Sequence, residues 1–321
     1  MNRIVQLVIL LCLFLGGCVF VNLPFQEPLT EKTIGGRGAN KILVISVSGL
    51  ITDDDKKGGL GITEKPNMAA QFKEELELAG KDDDIRAIIL KINTPGGSVT
   101  TCDVMHHELV NFKKSHRHIP VVAELMDTAA SGGYYIAVGA DKIIAHPTTI
   151  TGSIGVIAYN INATGLMEKV GIVNQTIKSG DKKDIGSPLK QMSDDERKIL
   201  QSVIDSMYER FLTVITEGRA DLTGMDPVAL KKIADGRIYT AEQALKLKLI
   251  DKTGYMDDAV EYVKGLAGIK EARLITYAPE RSYKNNIYSL AGEQAKINLI
   301  NIDGSALTGK FGMSFMYLWM P

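Results

Sequence analysis

The chain reads as an α/β fold with a mostly parallel sheet, and three observations carry that reading. Short apolar runs of strand length recur along it. Stretches with helical apolar spacing stand between and after them. Small-residue turns rich in Gly, Ser and Thr close several of the strands. Folds of this kind gather functional groups at the ends of their strands. At 321 residues, 45% hydrophobic and 23% charged, the chain can bury a substantial core as one large domain or two smaller ones.

The elements follow in order. Residues 41–47, Lys-Ile-Leu-Val-Ile-Ser-Val, are a strand signal closed by Gly49. Residues 52–66 are polar and glycine-rich, an exposed loop; the triplet Asp53-Asp54-Asp55 reads there as solvated turn rather than metal site. Asn67 is an N-cap, and Met68, Phe72, Leu76 and Ala79 recur at helical spacing. Residues 85–93 form a second buried strand that runs into Asn93-Thr94-Pro95-Gly96-Gly97-Ser98-Val99. Pro-Gly-Gly forces a tight turn with exposed amides, and Ser98 or Thr100 can cap the helix over 103–114.

Residues 120–125 form a third strand, leading to Met126-Asp127-Thr128-Ala129-Ala130-Ser131-Gly132-Gly133-Tyr134-Tyr135, with a helix opening near Tyr134. Residues 142–145 are a fourth strand. Thr151-Gly152-Ser153-Ile154-Gly155-Val156 is another small-residue turn carrying a serine. Residues 173–178 read as a further strand, entering Ser179-Gly180-Asp181-Lys182-Lys183-Asp184-Ile185-Gly186-Ser187-Pro188.

The remainder is mainly helical. Ser193-Asp194-Asp195-Glu196 has a capping-box pattern, with Ile199, Val203, Met207, Phe211 and Val214 on one face. Further helices start at Asp226-Pro227 and Thr240 and cover 257–267. Residues 273–277 are a late strand. The C-terminal run 310–321 is apolar and too short to span a bilayer; it is expected to pad a groove or a neighbouring subunit. No period supports an internal repeat.

A formal net charge of -1 without a basic block argues against nucleic acid as a partner. Of the 3 cysteines, Cys12 and Cys18 sit in the N-terminal apolar run. Cys102 is left alone, so the globular part has neither a disulfide nor a cysteine metal cluster. The 5 histidines show no metal spacing, and His106, His107, His116 and His118 read as a solvated helix face. No metal or cofactor is expected.

The N-terminus reads as a targeting device. Arg3 precedes an apolar run to about Leu23, near the ~20 residues that span a bilayer, and Leu15-Gly16-Gly17-Cys18 resembles a lipoprotein cleavage box. Either form anchors the chain with its bulk outside the cytoplasm. The domains expected are an anchor over 1–23, a linker over 24–40, a catalytic domain over 41–277 and a tail over 278–321.

Ser131 has small neighbours on every side, so a substrate backbone can approach, and the amides after it can face an anion; an ordinary helix cap would look the same. A serine hydroxyl needs a base. The turn that carries Ser131 holds no histidine, and His146 stands at a strand end before a proline. A neutral lysine can serve. Lowering its reference value of about 10.4 by ~2 units costs about 2.7 kcal/mol. Lys178, Lys182 and Lys183 compete, and three solvated loop lysines remain an equal reading.

Together and in this order, the four small-residue stretches at 93–99, 129–135, 151–156 and 179–188 resemble the family of short-form signal peptide peptidase A. These are protease IV type enzymes of the Clp protease/crotonase superfamily. The resemblance covers about 41–267, and 235–240, Asp-Gly-Arg-Ile-Tyr-Thr, also fits. It implies a repeated β-β-α spiral with a mostly parallel sheet and C-terminal helices. It implies Ser131 as nucleophile, Lys183 as general base, Ser153 as the supporting serine that positions the lysine, and the amides of Gly97 and Gly132 as oxyanion hole. It also implies a homo-oligomer, because the chain has one copy of the domain. The location implied is the inner membrane of a bacterium with the catalytic domain outside the cytoplasm, and the substrates are cleaved signal peptides and other apolar peptides. Two other classes share the fold: a crotonase-like coenzyme A thioester enzyme, and a non-catalytic membrane scaffold.

Overall fold

The computed structural model describes residues 28–53, 56–57, 64–65, 67–279, 282, 286–287 and 314–320. The anchor expected over 1–23 lies outside them. Among the described residues no helix is long and apolar enough to cross a membrane.

The sheet is built around β2 (Lys41–Ser48), β5 (Ile85–Thr94), β7 (Val121–Ala130) and β8 (Lys142–Ala145), parallel neighbours in that order. Ile, Val and Leu fill these strands and are buried on both faces, as a parallel sheet covered by helices requires. β13 (Arg273–Pro279) adds in parallel beside β2, and β12 (Lys252–Thr253) beside β8. β9 (Ile150–Gly152) pairs with the far end of β7 and takes β11 (Ile238–Thr240) as an antiparallel neighbour.

The β-β-α unit is visible twice. β2 is followed by a bridge at Ile51 and by α1 (Met68–Gly80). β5 is followed by β6 (Gly96–Ser98) and α2 (Val99–Ser115), and the bridge joins Ile51 to Gly97. Asn67 caps α1, its side chain accepting from the Ala70 amide. Two cores flank the sheet. α1, α2, α3 (Gly132–Ala137) and the end of α5 (Asp194–Gly218) cover one face, with Leu76, Leu109, Tyr135 and Phe211 among the buried side chains. α8 (Met256–Ala267) covers the other, setting Met256, Ala259 and Val263 on Val44, Ile89 and Ile144. Short helices α4 (Thr164–Lys169), α6 (Pro227–Ile233) and α7 (Ala241–Lys246) complete the set, and a two-stranded hairpin of β3 (Lys56–Lys57) and β4 (Glu64–Lys65) stands as a unit of its own.

Three expectations are corrected. The stretch 24–40 is not all linker: β1 (Leu29–Gly36) pairs antiparallel with β13, burying Ile34 and leaving Glu31 and Lys32 at a charged sheet edge. Residues 173–178 make no strand. They meet no sheet edge and lie exposed, Ile177 at 99%. The C-terminal tail is more than padding, because β14 (Phe315–Leu318) lies antiparallel between β6 and β10 (Ile157–Ala158) as the middle strand of a second sheet. The expected boundaries at 41 and 277 therefore cut through one compact unit.

Candidate active site

β7 continues past the expected end of its strand to Ala130, so Ser131 stands where β7 gives way to α3. Its backbone is held at φ 52 and ψ -113, a region a side chain adopts only under constraint. Two bonds supply the constraint: the Ser131 amide donates to the Gly152 carbonyl at 2.7 Å, and the Tyr135 amide donates to the Ser131 carbonyl at 2.9 Å. The side chain is buried, and its Oγ has no hydrogen-bond partner. A buried hydroxyl left unpaired costs about 1–3 kcal/mol, so this serine is held for something other than stability.

Ser153 is its counterpart on the next strand. Ala130 of β7 and Gly152 of β9 are register partners, and each is followed by a serine with positive φ, Ser153 at 51°. The Ser153 amide donates to the Arg237 carbonyl at 2.7 Å, which ties the turn to the segment entering β11. Thr151 donates from its hydroxyl to the Ala129 carbonyl at 2.6 Å, locking the two strand ends together.

Gly97 and Gly132 also come together. A Cβ on Gly132 would stand 3.2 Å from the Gly97 nitrogen and 2.4 Å from Cys102 Sγ. A Cβ on Gly97 would stand 1.9 Å from the Ile51 carbonyl oxygen, so only glycine fits at either place. The turn is braced from below: the Gly96 amide donates to Thr94 Oγ1 at 3.0 Å, and the Ser98 amide to the Ile51 carbonyl at 2.8 Å. Ser98 starts α2 without a side-chain cap. Two neighbouring backbone amides beside a buried hydroxyl are the parts an oxyanion needs.

Lys183 is not brought to Ser131 within the single chain. It lies exposed in the loop at 179–188, with no side-chain partner among the described residues. The loop does separate the three lysines. Lys178 donates to Asp184 at 2.8 Å and to the Asp181 carbonyl at 3.0 Å, and Lys190 also pairs with Asp184 at 2.8 Å. Lys178 and Lys190 together hold the Asp184 carboxyl low, at about 2. Lys182 and Lys183 carry no such engagement.

The histidines are placed otherwise than expected. His106 is buried, its ring edge-on to Tyr135 at 5.3 Å, and burial pulls its imidazole down to about 4 against the opposing pull of Asp103. His146 bonds to Thr148 Oγ1 at 2.8 Å. Neither reaches Ser131. Three residues absent from the sequence reading also belong to the site: Thr94 under the glycine turn, Cys102 against Gly132, and Tyr135, whose hydroxyl donates to Asp103. A Thr just before Pro-Gly-Gly was the available signal for the first; the others sit on helix faces that only packing aligns.

Comparison with known proteins bears on the same stretches. The model of peptidase family S49 matches residues 113–270. A protein of Enterococcus faecium described as a signal peptide peptidase SppA is 38% identical over 253 residues, 78% of this chain and 71% of that one. A protein of Methanocaldococcus jannaschii described as a protease is 30% identical over 282 residues, 88% of each chain. Protease 4 of Salmonella typhi is 32% identical over 240 residues, 74% of this chain but 37% of its own length. The strand-end serine, the paired glycine amides and these relatives agree: the chain belongs to peptidase family S49, a family of serine proteases.

Proposed function

We propose that the chain is a serine endopeptidase with Ser131 as nucleophile and Lys183 as general base. Neutral Lys183 takes the Ser131 proton as Oγ attacks a peptide carbonyl. The Gly97 and Gly132 amides hold the oxyanion that forms. As the C–N bond breaks, the lysine returns the proton to the leaving amine, and water then releases the acyl group, restoring the hydroxyl. Ser153, leaving β9 at the level where Ser131 leaves β7, is the residue that positions the lysine. The observation that carries this reading is the strained, buried and partnerless Ser131 beside two neighbouring glycine amides.

The lysine is supplied by a second copy. In support, the stretch that bears Lys183 also exposes Ile161, Leu166, Val170, Ile172, Val173 and Ile177, and α4 within it buries no residue. Apolar surface of this extent favours being covered. Substrates are apolar peptides, chiefly cleaved signal peptides, met at a bacterial inner membrane to which residues 1–23 anchor a catalytic domain lying outside the cytoplasm.

Ser131→Ala and Lys183→Ala should each lower the rate of peptide cleavage by at least ~100-fold, by comparison with the ~3 kcal/mol that one lost oxyanion donor costs. Either purified variant cleaving at the parent rate would remove that residue from the mechanism.

A further inference from the structure

The strand β14 shows how a peptide sits at this site. It runs antiparallel to both flanking strands, Met316 opposite Ser98 and Ile157, Tyr317 opposite Gly97, and Leu318 opposite Gly96. The Trp319 amide continues the ladder, donating to the Pro95 carbonyl at 2.9 Å. This is recognition by strand addition: backbone bonds hold the peptide, and alternate side chains enter pockets.

The Tyr317 carbonyl lies at the glycine amides. Its oxygen is 1.9 Å, and the Gly132 nitrogen 2.8 Å, from the point where a Cβ on Gly96 would stand. The Tyr317 side chain is wholly buried in a built pocket. Its ring stacks on Tyr135 at 5.0 Å and 24° and tilts against Phe211 at 4.7 Å. Its hydroxyl donates to the Met207 carbonyl at 2.9 Å. The pocket is rigid on the far side, where Tyr135 donates to Asp103 and Arg210 holds the same carboxylate at 3.1 Å.

Resting on the peptidase reading above, we propose that this pocket is a tyrosine-selective subsite and that the enzyme cleaves on the carboxyl side of the residue it holds. Two aromatic rings favour a flat side chain over an aliphatic one. The Met207 carbonyl then separates tyrosine from phenylalanine, because a buried acceptor is satisfied only by a hydroxyl. The register fixes the cut: the carbonyl nearest the Gly97 and Gly132 amides belongs to the residue in the pocket.

The test uses the full chain and quenched apolar peptides identical but for Tyr, Phe, Leu or Ala at one position. Tyr should exceed Ala in kcat/KM by about tenfold or more, with Phe between, and mass spectrometry should find the new C-terminus at the tyrosine. Tyr317→Ala should lower KM for the tyrosine peptide, because the tail then competes less. Phe211→Leu, its fold checked by circular dichroism, should shrink the Tyr-to-Ala ratio. Equal kcat/KM for Tyr and Ala, or cleavage elsewhere in the peptide, overturns the subsite. A serine-directed fluorophosphonate probe separates the two readings. If Ser131 is labelled while selectivity is absent, the subsite alone falls; if Ser131 is not labelled, the peptidase reading falls and the subsite with it.

Discussion

Glu124 is the residue whose energetics stand furthest from ordinary. It sits in the middle of β7, opposite Ile144 of β8, fully buried, and neither carboxylate oxygen has a hydrogen-bond partner. Burial pushes its carboxyl up to about 9; Asp258 adds to this and Lys252 opposes it. The folded protein therefore holds a proton there that the unfolded chain, titrating near 4.5, gives up. The stability tied to that proton is complete below the unfolded value and is lost as pH rises toward the folded one, by about 1.36 kcal/mol per pH unit. Glu124→Gln should flatten this dependence. Chemical denaturation at pH 5 and pH 8 should show the parent losing more stability than the variant, by roughly 3 kcal/mol. Equal losses would mean that Glu124 finds a partner in solution. Nothing in the sequence marked this residue, since a Glu in an apolar strand signals neither its burial nor its missing partner. Ser131 was legible at the same scale through its small neighbours, although its positive φ was not.

At the scale of elements, α5 shows what sequence patterns deliver. The capping box expected at Ser193 is present: the Glu196 amide donates to Ser193 Oγ at 3.3 Å, and the Ser193 amide donates to Glu196 Oε2 at 3.0 Å. Lys190 holds the same glutamate at 2.5 Å. Beyond Glu196, burial along α5 begins only at Phe211, so its first turns rest on the cap more than on the core. Ser193→Ala should cost about 1 kcal/mol. Hydrogen exchange at amides 194–203 should quicken about fivefold while global unfolding hardly moves; unchanged exchange there would deny the cap its role. Caps and periodicity are local, which is why α1, α5, α6 and α7 were legible. β1, β11, β12 and β14 were not, because each exists only where a distant edge accepts it. Residues 173–178 have strand-like composition and no such edge.

At the scale of the whole molecule, the proposed base and nucleophile need two copies. Ser131→Ala and Lys183→Ala proteins, each inactive alone, should regain partial activity when mixed and reassembled, because some sites then combine an intact serine with an intact lysine. Sedimentation velocity on the mixture should show the parent assembly. If the lysine acts within its own chain, mixing restores nothing, since no chain carries both groups.

The sequence by itself determined the α/β class, the buried strands, the capped helices and the identity of the reactive groups. These rest on short-range chemistry: side-chain period, turn residues and the small neighbours of Ser131. Only the tertiary structure decided that Gly97 meets Gly132, that Ser131 and Ser153 leave paired strands together, and that the tail lies along β6. Those contacts join residues tens to hundreds of positions apart. Sheet register and packing bring them together, and neither is written in any local pattern.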